Sequence, residues 1–313
     1  MNDPTFLYLM SGVVGLLLIA SVVGFVLARR SGPDGPNATV QNLNQRIRAW
    51  WLMVAIFGLA FFFGKGITIM LFMLVSFYCL REFLSITPTL AADHRATVAA
   101  FYIFIPMQYW LIWIDWPALF SIAIPVYAFL LLPILSVARG ETKDFLVRSA
   151  KIQWALMLTV YCISHAPALI NLDIPGFEGR NFLLLFFLVT VVQISDVAQY
   201  VFGKLFGKRK LAPSVSPNKT WEGLIGGGLF ATLVGAGLWW ITPFTPLAAA
   251  AIAFTIVLAG FWGGLVLSAV KRSLGRKDWS AMIQGHGGAM DRMDSVSFAA
   301  PIMYHITNYF YAL

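Results

Sequence analysis

The residues most able to do chemistry lie between Gln193 and Asp294. The last part of that stretch reads Ser268-Ala-Val-Lys-Arg-Ser-Leu-Gly-Arg-Lys-Asp278, and then Gln284-Gly-His-Gly-Gly-Ala-Met-Asp-Arg-Met-Asp294. Asp291 and Asp294 are three residues apart, so on a helix they share a face and both can reach one cation. A hard cation such as Mg²⁺ takes one or two carboxylates and completes its shell with substrate phosphates. Asp278 and Asp196 are further oxygen donors. His286 is flanked by Gly285, Gly287 and Gly288, and such glycines let backbone approach a ligand closely. Lys271, Arg272, Arg276 and Lys277 could neutralise a triphosphate. A plain solvated charge loop accounts for these cations but not for the Gly-His-Gly-Gly core.

Upstream, Lys204 to Gly223 holds five cations, two prolines and three hydroxyl side chains. Lys208, Arg209 and Lys210 read as a lipid-headgroup or orientation device. That reading does not explain Ser216-Pro-Asn-Lys-Thr-Trp-Glu222. Here a helix is expected to begin near Lys219 to Glu222. Helix N-termini bind phosphate through free N–H groups and the dipole, and Ser216, Thr220 and Lys219 would add to that. Gly226, Gly227 and Gly228 read as close helix packing. Asp196 sits in an apolar run, some six residues before its end, and so roughly 10 Å deep. A carboxylate there costs roughly 2.5–3.5 kcal/mol, which favours a functional role over a structural ion pair.

The elements that must position these residues are membrane spans. Of 313 residues, 59% are apolar and 12% are charged. A soluble domain carries about 25% charged residues and needs a polar surface this composition cannot supply. Ten runs are candidate spans: 5–28, 50–63, 67–80, 97–114, 117–138, 152–172, 182–202, 221–242, 246–270 and 297–313. The second and third, of 14 residues each, could instead form a re-entrant hairpin. The expected fold is therefore all-α, a polytopic transmembrane helical bundle of about 8–10 spans. The first run is too long for a signal-peptide core, and its charges Arg29 and Arg30 follow it, which suits a retained span with the N-terminus outside. With that orientation the cytoplasmic segments are 29–49, 81–96, 139–151, 203–220 and 271–296. They hold all of the 22 Lys and Arg residues except Lys65 and Arg180. The net charge of +8 then reflects orientation in the membrane, not nucleic-acid binding.

The chain divides by content into a transmembrane scaffold over 1–190 and a transmembrane catalytic region over 191–313, with cytoplasmic loops 203–220 and 271–296. Cys79, Cys162, His165 and His305 read as packing residues, and Ser31 to Asn44 as a flexible linker. Tryptophans near span ends fit interfacial belts.

The last loop resembles the signature of phosphatidate cytidylyltransferases, also called CDP-diacylglycerol synthases. That signature is S-x-x-K-R, four residues, K-D, a spacer, and H-G-G-x-x-D-R-x-D. It is met here by Ser268, Lys271, Arg272, Lys277, Asp278, His286, Gly287, Gly288, Asp291, Arg292 and Asp294. Asp196 with Tyr200, Gly207-Lys208, Leu211-Ala-Pro213 and Ser216-Pro-x-Lys-Thr-Trp-Glu-Gly223 also resemble the family. The resemblance covers about the C-terminal third. Gln284, Ala289 and the Val-Ala-Gln-Tyr run after Asp196 depart from it, and they bear on which lipid is the acceptor.

The resemblance implies transfer of CMP from CTP to phosphatidate, giving CDP-diacylglycerol and pyrophosphate for phospholipid biosynthesis. It further implies Mg²⁺, with room for a second cation, held by Asp291 and Asp294 with Asp278 or Asp196. Lys271, Arg272, Lys277, Asp278, His286 and Arg292 would be catalytic. Ser216, Lys219, Thr220, Glu222, Tyr200, Ser268, Gly287 and Gly288 would bind substrate. The expected partners are CTP, a lipid phosphate and membrane lipids, without nucleic acid. A homodimer is compatible with all of this, and the expected setting is a bacterial inner membrane with the site facing the cytoplasm. Two other functions stay open, a CTP-dependent lipid kinase and a non-enzymatic lipid transporter or carrier.

Overall fold

The computed structural model describes residues 4–30, 38–282 and 287–313. Among them ten long helical segments follow one another. They are α1 (Pro4–Arg30), α2 (Ala38–Phe63), α3 (Lys65–Ile86), α4 (Ala91–Trp113), α5 (Pro117–Val137), α6 (Phe145–Asn171), α7 (Phe182–Phe206), α8 (Trp221–Gly237), α9 (Pro246–Ser273) and α10 (Met290–Tyr311). A short antiparallel hairpin, β1 (Lys210–Ala212) and β2 (Ser216–Thr220), joins α7 to α8. Along the spans the backbone bonds close within each helix, as hydrocarbon surroundings demand, and loop bonds such as Leu313 N–H to the Asp173 carbonyl at 3.0 Å lie at the span ends.

Eight of these helices, all but α8 and α10, are long and apolar enough to cross a membrane. The protein is thus a polytopic helical membrane protein. α8 has 17 residues, or about 25 Å at helical rise, and α10 is made more polar by Asp291, Arg292 and Asp294 at its start. α2 and α3 are longer than the apolar runs 50–63 and 67–80. Their helices continue through Arg46 and Arg48 at one edge and Arg81 and Glu82 at the other. Each is therefore long and apolar enough for a full crossing. Residues 38–44, expected to be linker, are the first turns of α2. Residues 31–37 lie outside the described residues.

Burial sorts the helices. Of the apolar window of α6, 72% is buried inside the protein, against 11% for α1 and 17% for α2. α6 is the central helix, while α1 and α2 turn most of their surface outward. Polar side chains pin the centre: Gln108 Nε2 donates to the Phe120 carbonyl at 3.2 Å and to Ser164 Oγ at 3.2 Å, and Ser76 Oγ pairs with the Tyr109 hydroxyl at 2.6 Å. His165 is buried with its Nδ1 on the Tyr161 carbonyl, among the rings of Phe120, Tyr304 and His305. Such bonds hold helices together where lipid offers no hydrophobic drive between them.

α7 and α8 meet along a seam of small residues. A Cβ at Gly227 would strike the backbone of Ala198 and Gln199, and one at Gly223 would come within 2.7 Å of the Gln199 carbonyl. The glycines let the two backbones touch. The apolar core does not break near residue 190: side chains of α3 to α6 and of α7 to α10 form one cluster.

Candidate active site

The hairpin, α7, α9 and α10 bring a group of charges to one place. Asp196 on α7 is accessible, and its Oδ1 accepts the Ser295 hydroxyl of α10 at 3.1 Å. Asp294, the preceding residue on α10, acts electrostatically on Asp196. Lys219 reaches in from β2. Its ammonium donates to the Phe261 carbonyl of α9 at 3.1 Å and sits 4.4 Å from the centre of the Phe261 ring. Gly264 forms the floor. From the point where a Gly264 Cβ would stand, Lys219 Nζ is 3.1 Å away, and Asp294 Oδ2 and Ser295 Oγ are each 3.7 Å away. Burial lowers the Lys219 ammonium below lysine's ordinary range, against the pull of Asp196 and Asp294. Arg292 acts on both carboxylates as well, and its buried Nε has no hydrogen-bond partner. A buried donor left unpaired is costly, and an anion arriving at Arg292 would satisfy it.

The hairpin is what delivers Lys219. The helix expected near Lys219 to Glu222 begins at Trp221, so Lys219 lies in a strand and not on the first helical turn. Thr220 is the N-cap of α8 and accepts the Gly223 N–H at 3.1 Å. Glu222 accepts the backbone N–H groups of Lys208 and Arg209 at 3.1–3.2 Å, holding the entry to β1. Arg272 donates to the Val215 carbonyl at 3.3 Å, fastening the hairpin turn to the end of α9. Ser216 is half-buried in β2 opposite Ala212.

The two aspartates of α10 have different partners. Asp291 Oδ1 takes Lys271 Nζ at 2.6 Å, while its Oδ2 accepts the N–H groups of Trp279 at 3.0 Å and Gly288 at 2.9 Å. Asp291 therefore ties the end of α9 through Oδ1 and the loop before α10 through Oδ2. Asp294 makes no ion pair of its own among the described residues and feels the charges of Lys271, Lys219 and Asp196. Gly287 holds a left-handed φ of +77°, and Gly288 lies buried against Glu82. Ser268 donates back to the Gly264 carbonyl at 2.6 Å. Tyr200, Lys277 and Asp278 are exposed. His286 lies outside the described residues.

Among the described residues, no three His, Cys, Asp or Glu side chains gather as a cation cage. Asp196 and Asp294 nevertheless suit Mg²⁺ by their chemistry. They are two hard oxygen donors of like charge side by side, the number that ion takes from protein when substrate phosphates supply the rest.

Three contributors were not singled out from sequence: Ser295, the Phe261 carbonyl and Glu82. Ser295 follows Asp294 directly and Glu82 ends an apolar run, so position alone offered a signal for each. A backbone carbonyl offers none.

The sequence pattern of the cytidylyltransferase family matches residues 44–310. The chain belongs to that family. Among relatives, it is 36% identical over 298 residues to "Uncharacterized protein YnbB" of Escherichia coli strain K12, covering 94% of this chain and 95% of that one. It is 43% identical over 122 residues to the phosphatidate cytidylyltransferase of Mycobacterium leprae, covering 38% of each chain. It is 39% identical over 128 residues to the phosphatidate cytidylyltransferase of Staphylococcus aureus strain COL, covering 40% of this chain and 48% of that one. The two relatives named for an activity thus match this chain over less than half its length. An integral membrane setting follows from the eight long apolar helices.

Proposed function

We propose that this protein transfers CMP from CTP to a lipid phosphate, with phosphatidate as the acceptor, giving CDP-diacylglycerol and pyrophosphate. The observation that carries the reading is the convergence of Asp196, Asp294, Lys219 and Ser295 over Gly264, beside the unsatisfied Arg292 Nε. An oxygen of the lipid phosphate attacks the α-phosphorus of CTP. The bond from that phosphorus to the oxygen bridging to the β-phosphate breaks, and pyrophosphate leaves. The acceptor is already an anionic nucleophile, so alignment and charge neutralisation do the catalysis.

Asp196 and Asp294 would hold Mg²⁺, which when bound draws the phosphates together and offsets their charge. Lys219 and Arg292 contribute donors and positive charge to the phosphates. Thr220 and Glu222 keep the hairpin in the shape that carries Lys219, and the Lys271–Asp291 pair keeps the last loop closed. Asp196 lies on an apolar helix beside a charged loop, as a site must when one substrate comes from water and the other from the bilayer. We place that site on the cytoplasmic side of a bacterial inner membrane, with the N-terminus outside, on the loop charges described above.

The co-product tests the reading. Purified protein given CTP, phosphatidate and Mg²⁺ is expected to release pyrophosphate. Release of CDP would indicate a lipid kinase, and release of neither from folded protein would indicate a carrier.

A further inference from the structure

Glu82 lies in the last turn of α3, on the part of the chain whose other residues form the scaffold, and is only 5% exposed. Its Oε1 accepts the Ser280 hydroxyl at 2.7 Å and the Ala289 N–H at 2.9 Å, and its Oε2 accepts the Met290 N–H at 2.9 Å. These bonds bridge 198 to 208 residues of sequence. A buried carboxylate is tolerated only when its oxygens are satisfied, and here they are satisfied by the free N–H groups at the start of α10. Negative charge at that end of a helix is also favoured by the dipole. The neighbouring residue joins the contact: Phe83 stacks on Trp279 with ring centres 4.9 Å apart and planes 23° apart. Gly288 sits so close that a Cβ on it would strike the Glu82 carboxylate.

Asp291 grips the same loop from within, through Trp279 and Gly288, and ties it to α9 through Lys271. Between them the two carboxylates pin both ends of the loop, at residues 279–280 and 288–290. α10 therefore starts at a fixed height against α3. Asp294 follows Met290 by one turn, so a shift of that start is a shift of Asp294 against Asp196 and Lys219.

We propose that Glu82 is a positioning residue for cytidylyl transfer, setting Asp294 through the start of α10; this rests on the reading under Proposed function. Glu82→Gln is the first variant, because it keeps the size and one acceptor oxygen but turns an N–H₂ group toward one of the two backbone N–H donors. Ser280→Ala is the second, because it deletes one of the three donors and leaves the carboxylate. Each full-length protein, in lipid nanodiscs, is compared with wild type by thermal unfolding, by hydrogen exchange at the Ala289 and Met290 amides, and by steady-state kinetics with CTP and phosphatidate. In Glu82→Gln the unfolding temperature is expected to stay near that of wild type and both amides to exchange faster. Its kcat per folded molecule should fall on the order of 10–100-fold, with little change in the KM for CTP. Ser280→Ala should show a smaller loss in the same direction, and it carries the test if Glu82→Gln does not fold. Wild-type kcat per folded molecule in the folded variants, or unchanged exchange at both amides, would overturn the proposal. A wild-type protein that transfers no cytidylyl group would overturn the functional reading and with it this role, while the exchange data would still report the contact itself.

Discussion

Ser295 on α10 donates its hydroxyl to Asp196 on α7 at 3.1 Å, joining residues 99 apart in sequence. This bond sets the distance between the two helices that carry the exposed carboxylate and its neighbour Asp294. Replacing Asp196 by Asn preserves the shape and removes the charge. Turnover is expected to fall about 100-fold or more, since the lost group acts on charge that develops in the transition state. Ser295→Ala removes one hydrogen bond of about 0.5–1.5 kcal/mol, so the loss should be roughly 2–10-fold. Steady-state kinetics on folded protein check both, and wild-type turnover in Asp196→Asn would remove Asp196 from the chemistry.

Two glycines separate damage to the site from damage to the fold. A Cβ at Gly264 would stand 3.1 Å from Lys219 Nζ, the far end of a flexible side chain, which can move aside. Gly264→Ala is expected to unfold at nearly the wild-type temperature but to bind CTP more weakly, because Lys219 is displaced. At Gly227 the added Cβ meets backbone of α7 that cannot move without parting the helices. Gly227→Ala is expected to cost about 1–3 kcal/mol of stability. Thermal unfolding and nucleotide titration on both variants check the contrast.

Lys219 gives the activity an alkaline limb. Its ammonium is lowered below lysine's ordinary range, chiefly by burial. The charged form is present below that lowered pKa and is lost as pH rises through it. The limb should appear in kcat/KM, which reports the free enzyme, at a pH below that of ordinary lysine titration. Lys219→Arg keeps its charge at all accessible pH. Whatever its absolute rate, its profile should lose the limb, and an unchanged limb would assign the titration to another group.

Divalent cations test the paired carboxylates. Chelation should stop transfer without unfolding the protein, and added Mg²⁺ should restore it. Transfer that persists in excess chelator would contradict a metal role for Asp196 and Asp294.

Much of this was legible in the sequence. The spans followed from apolar runs, because hydrocarbon leaves the backbone few alternatives to helix. Asp196, Lys219 and Asp294 stood out as charges where charge is expensive or phosphate is welcome. What the sequence concealed is the sorting of like residues into different tasks. Asp291 and Asp294 are one turn apart, yet one closes a loop and the other acts electrostatically on Asp196. Thr220 and Glu222 belong to the same run as Lys219, yet they cap α8 and brace the hairpin. The hairpin was not foreseen either, since five residues with a proline show no alternating pattern, and their pairing depends on Glu222 and Arg272 holding both ends. α2 and α3 were read short because hydropathy marks the edge of the hydrocarbon and not the end of the helix.

The most direct test of the central claim uses CTP labelled both at the α-phosphate and in the cytosine. Purified wild-type protein, phosphatidate and Mg²⁺ should place both labels in the lipid in equal amounts, with one pyrophosphate released per lipid labelled, and Asp196→Asn should nearly abolish both. Folded wild-type protein that leaves both labels in water-soluble nucleotide would contradict the account.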